Sequence, residues 1–315
     1  DAAPSERTIK IGVFEPLTGE NKEQGNLELM GIQLANEMYP EVLGKKVELI
    51  VADNQSDIYV AETVVQELVS QQPSVVLGSY GETLTLIAGD AVKANNIPAI
   101  AITSTNPLIT VNNQYYFCAT YAESKQGDAL ANFVYTEQKK TKAATVKVAG
   151  DDTVTANIKT FKDRMESLSV DENAIVGSFE LPADSNDYSA VIEQIESCGA
   201  EAVFLDVSPK IAMGFFDQAE KANLSSVLFV GPKSWNDESF LSYIEKEGQF
   251  NIGYAADFST NTTVTEMSEK FIKAYKEKYG EDAEPAQKTA VAFDAYLMAI
   301  AAIEDAYDNT MSYSM

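Results

Sequence analysis

Apolar residues recur along this chain in two alternating rhythms, one of period two and one of period 3.6. Ile9, Ile11 and Val13 alternate with Thr8, Lys10 and Gly12, which predicts a first strand ending near Phe14. Leu27, Met30, Gly31, Leu34, Ala35 and Met38 then repeat at helical spacing until Pro40 stops them. Val47, Leu49 and Val51 mark a second strand, closing in the polar run Asp53 to Asp57. That run reads as a loop and a helix cap ahead of Ile58, Val64, Val65, Leu68 and Val69. A strand at 75–77 leads through GSYGE to a helix whose stripe is Leu84, Ile87, Ala88, Ala91 and Val92, with Thr83 at the expected N-cap. The next strand empties into Thr103, Ser104 and Thr105, and a shorter one follows at 115–118.

The alternation then starts afresh. Segments 145–149, 175–181, 202–205 and 227–230 read as strands. Helical stripes separate them, through Ile158, Phe161, Met165 and Leu168, through Tyr188, Val191, Ile192 and Ile195, and through Ile211, Phe215, Phe216 and Ala219. A short helix at 241–244, an extended segment at 251–255 and two helical patterns, one through Met267, Phe271 and Tyr275 and one through Ala290, Phe293, Leu297 and Ile300, complete the series. Strand and helix in strict alternation predict an α/β chain of two doubly wound parallel-sheet lobes, with helices on both faces of each sheet.

In open sheets of this kind ligands settle outside the carboxyl ends of the strands. Tyr80, Gly81, Glu82 and Thr83 emerge there after one strand, and Thr103, Ser104 and Thr105 after the next. Two loops rich in N–H and O–H groups beside a helix N-terminus suit a small polar ligand rather than a macromolecule.

Composition narrows this picture. A chain of 315 residues, 45% apolar, can bury a large core and is long enough for two domains. Its net charge of -25, from 48 acidic and 23 basic residues, repels phosphate backbones and argues against nucleic acid as a partner. No apolar run approaches the roughly 20 residues that span a bilayer, and the opening DAAPSERT has no signal-peptide pattern. Histidine is absent, which removes the commonest general base and metal ligand. Cys118 and Cys198 form no CxxC pair, and Cys118, inside the apolar run 115–119, reads as a buried thiol. There is no GxG, no GK[ST] and no GxSxG, and the acidic run at 53–57 lacks the glycine and terminal glutamate of a calcium loop. Asp151 and Asp152 read as a solvated loop. No cofactor and no metal is expected.

Words along the chain carry a resemblance. IKIGVFEPLTG, QGNLELMGIQLANE, VADNQSD, VVLGSYGETLTL, IPAIAITSTNP, ESKQGDALANF, LFVGPKSW and the closing KFIKAYKEKYGEDAEPAQKTAVAFDAYLMAIAAIEDA resemble, in order and spacing, type I extracellular solute-binding proteins of ABC importers, the branched-chain amino acid group. The match spans residues 9 to 306. It implies a lobe of residues 1–120 plus 257–315, a second lobe of 121–256, and a ligand cleft between them that closes like a hinge. Crossings are implied near 119–123 and 256–259, with a third after 303–306.

The resemblance also implies site residues. The serine hydroxyl that this family offers to a ligand carboxylate falls on Glu82, beside Thr83, and the second loop matches at Thr103 and Thr105. Gln24 stands where an aromatic often precedes the glycine of the first loop, Thr155 or Val154 where a tyrosine stands in the second lobe, and Ser208 where another aromatic stands. Tyr80, Tyr121 and Trp235 are left as aromatic wall candidates, with hinge packing the alternative for Tyr121 and core filling the alternative for Trp235. In GPKSW, Lys233 replaces the acidic residue that holds a ligand ammonium. The anion corner has thus gained a carboxylate and the ammonium corner an amine. A ligand carboxylate at Lys233, with a hydroxyl or amine at Glu82, is the expected pose.

The implied function is capture of a small polar metabolite, an amino acid or related carboxylate or amide, for delivery to ABC permease membrane subunits. No reaction is catalysed. The implied location is extracellular or periplasmic, free or lipid-anchored. A ligand sensor for a signalling partner and an α/β hydrolase using two carboxylates are the alternatives.

Overall fold

The structure, a computed structural model, describes residues 8–121, 125–169, 173–260 and 265–312. The chain divides into two compact units, one of Asp1–Tyr121 with Asp257–Met315 and one of Ala122–Ala256. Part of the implied 119–123 crossing lies outside the described residues.

In chain order the first unit contributes β1 (Ile9–Glu15), α1 (Lys22–Met38), β2 (Glu41–Val42), β3 (Lys45–Asp53), α2 (Ile58–Ser70), β4 (Val75–Gly78), α3 (Glu82–Ala94), β5 (Ala99–Ala101) and β6 (Tyr116–Cys118). They form one sheet of order β2-β3-β1-β4-β5-β6, parallel except for the two-residue strand β2, which folds back on β3 and which periodicity did not predict. Asp57 caps α2 as expected, its carboxylate accepting from the N–H groups of Tyr59 and Val60. The expected cap at Thr83 is corrected: α3 starts at Glu82 behind Gly81, whose φ of +94° places it where a side chain is disfavoured.

The second unit contributes α4 (Lys125–Asn132), β7 (Ala143–Val148), α5 (Thr155–Leu168), β8 (Ile175–Leu181), α6 (Ser189–Cys198), β9 (Ala202–Leu205), α7 (Pro209–Ala219), β10 (Leu228–Gly231), α8 (Glu238–Glu247) and β11 (Asn251–Tyr254). Its sheet has the order β11-β10-β9-β7-β8 and is wholly parallel among the described residues. One face packs Val146, Val203, Leu205 and Phe229 on Phe215, Phe216, Trp235 and Phe240. The other packs Phe204 and Val230 on Leu130, Phe161 and Met165.

The chain returns to the first unit with α9 (Glu266–Tyr279) and α10 (Gln287–Ser312). These and α1 cover the face bearing Ile11, Val13, Leu77 and Ile100, whereas α2 and α3 cover Phe14, Val76 and Ala101 on the other. Alternate residues of β1 therefore enter different cores, as the pleat requires. A Cβ on Gly31 would lie 2.1 Å from the Thr289 carbonyl, so α1 and α10 touch backbone to backbone there. Residues 303–306 are interior to α10, which runs on to Ser312. Among the described residues no helix is long and apolar enough to cross a membrane.

Candidate functional site

In the first unit β1 is flanked by β3 on one side and β4 on the other, so the chain reverses its winding direction between β1 and β4. The crevice outside such a reversal, at the carboxyl ends, is where open α/β sheets hold ligands. Glu15 ends β1 and Gly78 ends β4. A Cβ on Gly78 would meet the Phe14 carbonyl at 2.1 Å, and its φ is +111°, so only glycine fits where the two strands run together.

The loop after β4 is held from several sides. Ser79 is buried and its hydroxyl accepts from the Asn54 amide at 2.9 Å. The Tyr80 N–H donates to Glu15 Oε2 at 2.8 Å, and the Tyr116 hydroxyl donates to the Gly78 carbonyl at 2.8 Å. Thr85 lies 2.7 Å from the Ser79 carbonyl and 3.0 Å from the Ser104 hydroxyl, tying this loop to the one after β5. Asn106 donates to Glu82 Oε2 at 3.1 Å and makes a second tie. The Thr103 hydroxyl donates to Glu28 Oε1. Lys288 of α10 places its ammonium 5.6 Å from the centre of the Tyr80 ring.

Electrostatics at this edge centre on Glu15 and Glu28, both wholly buried. Burial, then the charge of Glu28, raises the Glu15 carboxyl well above the usual range. Burial pushes Glu28 up to about 7, against the opposing pull of the Thr103 hydroxyl and the Lys288 charge. Burial and Glu28 raise the Tyr80 phenol as well. The acidic loop behaves differently: burial of Asp53 is outweighed by donors from Thr18, Gln55 and Leu17, which hold its carboxyl below the ordinary value. It is a loop organiser, and among the described residues no cluster of His, Cys, Asp or Glu is arranged to hold a metal ion.

The sequence-predicted residues fall on this edge unevenly. Tyr80, Thr103, Thr105 and Gln24 are half-buried, Ser104 is buried, and Glu82 and Thr83 are exposed. The Thr103 hydroxyl proton is directed at Glu28, which leaves the Thr103 carbonyl as the group it can offer. Tyr121 is 77% exposed at the end of the first unit's first segment. Cys118 is half-buried rather than buried, and both cysteines are free.

In the second unit the reversal lies between β7 and β9. Asp206, just past β9, is buried and accepts from the Asn157 amide at 2.8 Å; the Asn157 oxygen accepts from the Gly127 N–H at 2.6 Å. Thr155 is exposed at the first position of α5, and Ser208 is exposed and caps α7. Lys233 is half-buried, with its N–H donating to Gln126 Oε1 at 2.8 Å. Trp235 takes the core-filling alternative: it is 0% exposed, edge-on to Phe216 and tilted against Phe240, with its indole N–H on the Val207 carbonyl at 2.9 Å. A lone tryptophan four residues past a strand gives no sign of which way it turns.

Sequence reasoning missed Glu15, Glu28, Thr85, Tyr116, Lys288, Asn157 and Asp206. A signal for Glu28 existed. It falls in helical register with Gly25, Gly31, Ile32 and Ala35, the face of α1 that is buried, one step round from the stripe through Leu27 and Met30.

No curated protein matches the chain significantly. Solved structures do. The branched-chain amino acid transporter substrate binding protein LivJ from Streptococcus pneumoniae, in complex with isoleucine, is 25% identical, covering 95% of this chain and 84% of its own, with a TM-score of 0.65. A putative branched-chain amino acid ABC transporter protein from Rhodospirillum rubrum, 21% identical over 95% of this chain and 85% of its own, has a TM-score of 0.82. A solute binding protein of an ABC transporter from Rhodopseudomonas palustris, in complex with 3,4-dihydroxy benzoic acid, shares 18% identity over 95% of this chain and 81% of its own, with a TM-score of 0.61. At 21% and 18% these last two show likeness of fold. The family model described as periplasmic binding protein matches residues 8–312, and with the two repeated α/β sheets this establishes that the chain belongs to the periplasmic binding protein family.

Proposed function

We propose that the chain is the solute-capturing component of an ABC importer, holding a small polar metabolite of the amino acid, carboxylate or amide class and passing it unchanged to membrane permease subunits outside the cytoplasmic membrane. The observation that carries this reading is the pair of cross-tied loops at the carboxyl ends of β4 and β5, beside the β1/β4 reversal, fixed in place by bonds from Tyr80, Thr85 and Asn106. The isoleucine and dihydroxybenzoate in the similar structures support a carboxylate-bearing ligand. Lys233 meets the ligand carboxylate, while Glu82 takes a hydroxyl or amine, the reverse of the pose the family resemblance implies.

A thermal-shift screen over amino acids, amides, hydroxy acids and aromatic acids tests the reading. A true ligand at 100 times its Kd adds about 2.7 kcal/mol of stability. Lys233→Ala and Glu82→Ala each weaken binding of the best hit at least tenfold. Preference for leucine, isoleucine or valine with Lys233→Ala indifferent defeats the reversed pose, and turnover of any compound favours a hydrolase.

A further inference from the structure

Glu15 and Glu28 are unused by the ligand reading above, yet they are the deepest acidic groups of the first unit's edge, each 0% exposed. Each has one oxygen engaged, Glu15 Oε2 by the Tyr80 N–H and Glu28 Oε1 by the Thr103 hydroxyl. The remaining oxygens, Glu15 Oε1 and Glu28 Oε2, are buried and have no donor. The two carboxyl groups are neighbours, each acting on the other's ionisation. Two ionised carboxylates so placed repel without water to screen them, whereas a carboxylic acid donates to a carboxylate. A single proton between them removes both the repulsion and the missing donor.

We propose that Glu15 and Glu28 share one proton at neutral pH and act through it as positioning residues, locking the Tyr80 loop and the Thr103 loop to β1 and α1. The consequence for solute capture rests on the reading of this edge as the ligand face. Glu15 ends β1 and fixes the loop after β4; Glu28 stands on α1 and fixes the loop after β5. The shared proton is the link between the two halves of the edge.

The other titratable groups facing the pair are Lys288 from α10, the Tyr80 phenol, Tyr116 from β6, and Cys118 beyond it. Lys288 favours an ionised Glu28, and burial outweighs it. Tyr116 is itself raised by burial and by Glu15, and stays a neutral donor to Gly78. The sign of the pH dependence follows. The folded pair keeps a proton that ordinary unfolded carboxylates have released, so stability is full below the ordinary carboxylate range. It is lost as pH rises through about 7 and beyond, until the pair is ionised.

The test uses the full chain without ligand, with thermal unfolding followed from about pH 5 to about pH 9. The wild-type Tm is expected to fall by about 3 °C or more across that window beyond any shift in a double variant, Glu15→Gln with Glu28→Gln. Glu28→Gln, whose amide donates to Glu15 and accepts from Thr103, keeps the acid-side Tm and loses most of the fall. Glu28→Ala loses Tm at the acid end too. Hydrogen exchange of the Tyr80 amide, relative to β4, quickens on the alkaline side in the wild type and not in Glu28→Gln. Should Glu28→Gln fail to fold, Glu15→Gln replaces it, since its amide donates to Glu28 and accepts from Tyr80. Parallel pH profiles for the wild type and the amide variants overturn the proposal. These readouts involve no solute, so an empty ligand screen would defeat the capture reading and leave the proton result standing.

Discussion

With the two-residue β2 set aside, the two units repeat one winding order, second parallel strand, first, third, fourth, fifth, yet they settle buried acids at their reversals by opposite means. In the first unit Glu15 faces Glu28, carboxyl to carboxyl, with an unengaged oxygen on each. In the second, Asp206 faces the Asn157 amide, which passes the bonding on to the Gly127 backbone. A neutral amide satisfies a buried carboxylate at any pH. A second carboxyl does so only while a proton stays between them. The same topology thus carries one edge held by an amide–carboxylate bond and one held by a proton between two carboxyl groups.

This contrast can be broken in four ways. The largest effect comes from the core beneath the second edge. Trp235→Ala should cost about 3–5 kcal/mol in urea unfolding followed by circular dichroism, because an indole packed on Phe216 and Phe240 is lost without collapse. Asn157→Asp should copy the first edge into the second. Placing a carboxyl against Asp206 costs about 2–3 kcal/mol above neutral pH and much less in acid, and the Gly127 bond survives because the oxygen remains. In the unaltered chain, stability should fall by about 1–3 kcal/mol as pH rises through about 7, the value to which burial lifts Glu28. Trp235 is the only tryptophan and belongs to the second unit's core. Its fluorescence transition should therefore move less than the whole-chain dichroism transition. The smallest effects are at caps: Asp57→Ala should cost about 1 kcal/mol, and Ser208→Ala less, since its bond to Ile211 is 3.5 Å long.

What sequence revealed follows the same division. Strand 202–205 appears with the bounds that periodicity predicts, because two-sided burial leaves the unbroken apolar run AVFL between turn residues; strand 175–181 keeps its predicted bounds at the sheet edge, where only Leu181 is buried. The edge loops at 78–83 and 103–106 were located for the same reason, as whatever follows such a run. Their bonding was not legible. Thr83 looked like a cap because threonine is a good one, but Gly81 at positive φ takes the cap position with no side-chain bond, and the Thr85 hydroxyl donates back to the Ser79 carbonyl. Glu15 and Glu28 stand 13 positions apart on a strand end and a helix, and only the packing of α1 on β1 makes them neighbours. Trp235 and Phe240 look alike in composition to a ligand wall and a core, and burial alone separates them.

The backbone contact between Gly31 and Thr289 also sets an order of assembly. The second unit is one uninterrupted stretch, finished once residue 256 has been made, whereas the first waits for α10 to seal the face prepared by α1. During synthesis the earlier half therefore carries a bare apolar surface past a neighbour that is free to fold, and this interval is when the growing chain most needs protection from aggregation.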